Sequence, residues 1–133
     1  MSRPATIGVA LAVLAFSGCG GGRLSQEELQ KEFEAIQSLA AEGALVADGV
    51  ADGRTTETFV SVHAQYLSEA ARQIQTDVSA ASGPSEKRSV ERLASLVSQD
   101  LEELHREPDD RALAARLRIR LELYAAAAEK RAR

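Results

Sequence analysis

The chain has 133 residues, 16 of them basic and 20 acidic, for a formal net charge of −4, and a single cysteine, Cys19. One cysteine excludes any intramolecular disulfide. Alanine, leucine, glutamate and arginine dominate, aromatics make up 4 % and tryptophan is absent, a composition that favours long helices; β-branched residues do not cluster in alternating runs, which argues against an all-β fold.

Arg3 is the only early charge, and Ala5 to Phe16 (ATIGVALAVLAF) follow with none. A basic start, an apolar run of this length and small residues behind it make up a secretory signal. A membrane-crossing helix would need about 20 apolar residues, and here glycines follow almost at once. The run ends Leu14-Ala15-Phe16-Ser17-Gly18-Cys19-Gly20-Gly21-Gly22. Small residues at the two positions before a cysteine, after an apolar stretch, resemble the lipobox of bacterial lipoproteins, with Phe16 standing where that family usually has leucine. The resemblance covers residues 1–19 alone. It implies that Cys19 is acylated on sulfur and becomes the N-terminus after cleavage of residues 1–18. It also implies a chain exported and lipid-anchored, at the outer face of the cell membrane or the periplasmic face of an outer membrane. Gly20, in place of an aspartate after the cysteine, points to the latter in an organism with two membranes. Each buried methylene contributes about 0.8 kcal/mol and two acyl chains hold stably, so the anchor needs no further help. The expected division is a signal peptide at 1–18, a lipidated cysteine and glycine-rich tether at 19–24, and a folded domain at 25–133. Removal of residues 1–18 leaves 115 of the 133, enough for a core without metals or disulfides.

The first helix is signalled by Ser25-Gln26-Glu27-Glu28, a capping box, with Leu24 and Leu29 as a hydrophobic staple. Leu29, Phe33, Ile36, Ala40, Gly43, Ala47 and Val50 repeat with 4-3 spacing, the seam of a packed helix. Gly49 and Gly53 are its expected stop signals, and Thr55 or Thr56 caps the second helix. That helix carries Val60, His63, Leu67, Ala70, Ile74 and Val78 in its expected seam, with Phe59 and Tyr66 alongside. It ends at the turn cluster Ser82-Gly83-Pro84-Ser85. Ser85 is the expected cap of a third helix with Val90, Ala94, Val97, Leu101 and Leu104 in its seam. Glu107-Pro108 breaks it. Pro108 is expected in the first turn of a fourth helix, whose apolar residues form two sides: Leu113, Leu117, Leu121 and Tyr124, then Ile119, Leu123 and Ala126. The second side predicts broader burial for this helix, or self-association through it. Four amphipathic helices with short links predict an all-α, antiparallel up-down four-helix bundle.

Charge is uneven along the chain. From Cys19 to Gly83 four basic residues face ten acidic ones, whereas from Arg111 to the end seven basic residues face Glu122 and Glu129. In an up-down bundle the fourth helix returns beside the first, so Glu27, Glu28, Glu32 and Glu34 are expected to face Arg116, Arg118 and Arg120. The same three arginines are the candidate basic surface for an acidic envelope polymer or anionic headgroups; export leaves no role for nucleic acid.

The candidate metal ligands are few. His63 falls in a seam, and Glu102 with His105 gives one Glu-x-x-His pair where a di-iron bundle uses two. Metal is therefore not expected, and His63 reads as a core or rim histidine bonded to a neighbour. Asp48 and Asp52 lack the alternating oxygens and late glutamate of a calcium loop. No nucleophile elbow or phosphate loop is present. The sequence thus predicts a membrane-anchored, non-enzymatic envelope lipoprotein without cofactor, binding an envelope protein or packing structurally. The alternative is a small-ligand or metal-binding bundle around His63.

Overall fold

The computed structural model describes residues 22–133; the expected signal peptide at 1–18, Cys19, Gly20 and Gly21 lie outside them. Four helices run in order: α1 (Gln26–Ala51), α2 (Glu57–Ala80), α3 (Lys87–Arg106) and α4 (Arg111–Ala132). The fold is an antiparallel up-down four-helix bundle. Cross-helix pairs give the directions. Ser61 meets His105 and Ser68 meets Ser98, so α2 and α3 run oppositely; Glu42 meets His63 across the short α1–α2 turn, and Asp48 near the end of α1 meets Arg118 near the start of α4, as in antiparallel neighbours.

α1 packs most closely on α4, and α2 on α3. The two pairs join along α1 with α2, along α3 with α4, and across one short diagonal where α1 touches α3, while α2 and α4 occupy opposite corners and do not meet. Small residues explain the close approach of α1 and α4: Ala40, Ala44 and Ala47 on one helix, Ala114 and Ala128 on the other, are all buried. Gly43 belongs to this seam. A Cβ there would come within 2.6 Å of Leu101 Cδ2 and 3.4 Å of Leu121 Cδ1, so a side chain has no room between α1, α3 and α4. Leu67, Leu101, Leu104, Leu117 and Leu121 supply the bulk of the centre, each fully buried.

The expected start of α1 holds in detail. Ser25 Oγ accepts from the Glu28 N–H at 3.1 Å, and the Ser25 N–H donates to the Glu28 carboxylate at 2.6 Å. That second bond holds the Glu28 carboxyl below its usual value, helped by the Ser25 hydroxyl. All seven residues of the expected α1 seam are buried. Gly49, expected as a stop, is instead buried inside α1, where a Cβ would press on the Thr55 methyl at 2.7 Å; the stop comes at Gly53, whose φ of +67° is the left-handed geometry that ends a helix. Thr56 caps α2, accepting from the Phe59 N–H at 3.3 Å.

Other expectations are corrected. Ser85 does not cap α3: the chain enters that helix through tight backbone turns, with Lys87 N–H donating to Pro84 and Arg88 N–H to Ser85, so the serine hydroxyl is not needed there. Pro108 lies in the α3–α4 turn, not in α4. Asp110 caps that helix with a 2.9 Å bond from the Leu113 N–H, which fixes the first helical residue at Arg111. Before α1, the Leu24 N–H donates to Ser82 O at 2.7 Å and the Ser82 N–H to Gly22 O at 3.3 Å. This short bridge ties the segment preceding α1 to the α2–α3 turn.

Candidate interaction surface

The polar residues singled out in the sequence mostly serve as clasps between helices. His63 is not in the α2 seam. Val60, Ala64, Leu67, Ala71 and Val78 form the buried stripe, displacing the expected His63 and Ala70 by one position. Two ladders with equal spacing compete there, and alanine at 64 and 71 buries without leaving a ring nitrogen to satisfy. His63 sits at the α1–α2 edge with Nε2 2.8 Å from Glu42 Oε1, its ring stacked on Phe59 at a centroid distance of 5.3 Å. His105 Nδ1 lies 2.7 Å from Ser61 O; a carbonyl only accepts, so Nδ1 carries the hydrogen and donates across α3–α2. Glu102, the third candidate ligand, pairs with Arg72 of α2 at 3.5 Å and with Arg106 at 3.4 Å. Glu102 and His105 therefore line one groove beside α2 while His63 stands apart from them, and among the described residues no three His, Cys, Asp or Glu side chains are grouped as metal ligands.

Asp48 and Asp52 share one cation, the Arg54 guanidinium, at 3.0 and 3.2 Å. This closes the α1–α2 turn on itself.

The three arginines of α4 separate. Arg118 lies 3.8 Å from Asp48 near the end of α1 and 3.7 Å from Glu122 on its own helix. Arg120 turns the other way and forks onto Asp100 of α3, with its Nε 3.0 Å from Oδ2. Arg116 is exposed and makes no ion pair among the described residues. The expected ladder from Glu27, Glu28, Glu32 and Glu34 to these arginines does not form. Those glutamates lie in the first half of α1, and in an antiparallel pair that half meets the second half of α4.

Asp100 was not anticipated from the sequence. Its side chain is 1 % exposed, and burial pushes its carboxyl up despite the opposing pull of the Arg120 bond. The available signal was a charged residue inside the α3 seam, three positions after Val97. Ser68 and Ser98 form a second buried polar link, with Ser68 Oγ donating to Ser98 O at 3.0 Å. Glu32 is half-buried, and its carboxyl is also raised, first by burial and then by the charges of Asp77 and Glu28.

The expected second side of α4 is not covered by its own bundle: Ile119 is 53 % and Leu123 63 % exposed. α2 shows a comparable face, with Phe59, Val62 and Tyr66 at 49, 64 and 50 %. On each helix these side chains fall three or four positions apart, which makes a stripe rather than scattered apolar residues. No helix among the described residues is long and apolar enough to cross a membrane. No family model, curated protein or solved structure matches this chain.

Proposed function

We propose that this chain is a membrane-anchored envelope lipoprotein whose helical domain is a non-enzymatic docking module, acylated at Cys19 and presenting the outer face of α2. The observation that carries the reading is the relation between the two ends of the bundle. Gly22 and Leu24 are bonded to the α2–α3 turn, so the chain that precedes them enters at that end. Phe59 and Val62 lie at the start of α2, at the other end, beyond a helix of 26 residues that is about 39 Å long. A lipid at Cys19, through Gly20 and Gly21, would hold the first end near the bilayer and leave the aromatic stripe facing outward. The histidines and the buried Asp100 carboxylate, which an enzyme would direct into a cleft, are used here as inter-helix clasps.

Fractionation of cells producing the wild-type chain and Cys19→Ala tests the anchor. Wild type is expected in the membrane fraction and Cys19→Ala in the soluble or unprocessed material. Equal membrane association of the two at the same processed size would refute the proposal.

A further inference from the structure

α2 and α4 stand at opposite corners of the bundle, run in the same direction, and each exposes one apolar stripe. The stripes have identical spacing. On α2 the exposed residues are Phe59, Val62, Tyr66, Glu69 and Gln73; on α4 they are Arg116, Ile119, Leu123, Ala126 and Lys130. Their charges are opposite in sign, with Glu69 on the α2 stripe and Arg116 and Lys130 on that of α4. α2 as a whole carries Glu57, Glu69 and Asp77 against Arg72, whereas α4 is rich in arginine.

Height along the bundle matches as well. Glu42–His63 and Asp48–Arg118 fix the level of α2 and of α4 against α1. By these pairs the α4 stripe stands about 6 Å, four residues of helical rise, nearer the α1–α2 turn than that of α2; Ser68–Ser98 and Asp100–Arg120, read against α3, offset it about 4.5 Å the other way, so the two routes bracket a level alignment.

From this geometry we infer that the occupant of the α2 stripe is the α4 stripe of a second copy of the same chain. In parallel alignment Val62 meets the neighbour's Ile119, Tyr66 meets its Leu123, and Arg116 of the neighbour lies over the Phe59 ring, a cation–π arrangement. Lys130 then falls beside Gln73, one turn from Glu69. Each molecule uses two different faces, so the contact is heterologous, and with the helices parallel and level it repeats by near-translation. The product is a row of bundles all pointing one way, the only sense in which molecules tethered at one end to one surface can add to each other sideways. The inference rests on the proposed role of the α2 face and names its partner.

The test is disulfide crosslinking of the purified full-length chain in detergent. Val62→Cys and an epitope-tagged Ile119→Cys are mixed, with the wild-type chain controlling for Cys19. Heterotypic crosslinks between Val62→Cys and Ile119→Cys are expected. Their yield should fall about fivefold when Lys130→Glu is added to the second chain, and recover when Glu69→Lys is added to the first. All four positions are exposed, and circular dichroism of each variant checks the fold. Homotypic Ile119→Cys crosslinks alone, no crosslinks above the control, or a yield indifferent to the charges would overturn the inference. The two proposals fail separately. Without self-crosslinking but with membrane release of Cys19→Ala, the row is wrong and the anchor stands; the converse result removes the anchor and leaves the contact between copies.

Discussion

At the scale of the residue, the position under most electrostatic stress is Asp100. Its carboxyl is buried, and its one cationic partner, Arg120, is itself about half exposed. Removing one member of a fully buried pair costs about 3–5 kcal/mol because a charge is left without compensation. The half-exposed guanidinium is already screened by water, which lowers the expectation for Arg120→Ala to about 2 kcal/mol at neutral pH. The pH dependence follows from the direction of the shift. Burial raises the folded carboxyl above the unfolded value of 3.8, so the folded state binds the proton more tightly and the protein loses stability as pH rises through that window. Arg120→Ala removes the opposing pull and moves the folded value further up. Its cost is therefore greatest near neutrality and shrinks as pH falls towards 3.8. Urea unfolding of both proteins at pH 7 and pH 4 checks this; a cost equal at the two pH values would show that the charge is not what the arginine serves.

At the scale of the element, Gly43 decides how α1 sits against α3 and α4. Two effects compete in Gly43→Ala. Helix propensity favours alanine by about 1 kcal/mol, while overpacking a closed core costs about 1–3 kcal/mol. The atom in the way, Leu101 Cδ2, belongs to a side chain with no exposed surface to move into. Overpacking wins, and a net loss of about 1 kcal/mol is expected, read as a lower urea midpoint at unchanged slope. The same helices show why some features were legible in advance and others were not. The α1 and α3 seams were readable because their large apolar residues, Leu29, Phe33, Ile36 and Val50 on one and Val90, Val97, Leu101 and Leu104 on the other, fall on a single 4-3 ladder. The capping box at Ser25 was readable because both of its bonds are local. On α2 the phase was ambiguous: alanines at 64 and 71 offered as good a ladder as His63 and Ala70, and only packing against α3 separates them. Ser85 and Pro108 failed for a related reason, since backbone turns and the Asp110 side chain met the needs of those helix starts. Cross-helix partners such as Asp100 with Arg120 depend on register between helices, which no local pattern encodes.

At the scale of the whole molecule, the uneven charge has a different use from the one first expected. It does not build an ion-pair ladder from the glutamates of early α1 to Arg116, Arg118 and Arg120. Arg118 and Arg120 are tied to Asp48 and Asp100, and Arg116 remains at the surface with Ile119, Leu123 and Lys130. The acidic and basic halves meet only partly inside one bundle, and the remaining charges lie on opposite corners. The proposed leader and acylated Cys19 would complete the arrangement, because a surface is what would hold such bundles in a common orientation. The most direct test is mass spectrometry of the N-terminal peptide of the membrane-extracted protein. The expected chain begins at Cys19 and carries a diacylglyceryl mass on its sulfur. A mature chain that begins elsewhere, or a Cys19 with a free thiol, would contradict that expectation.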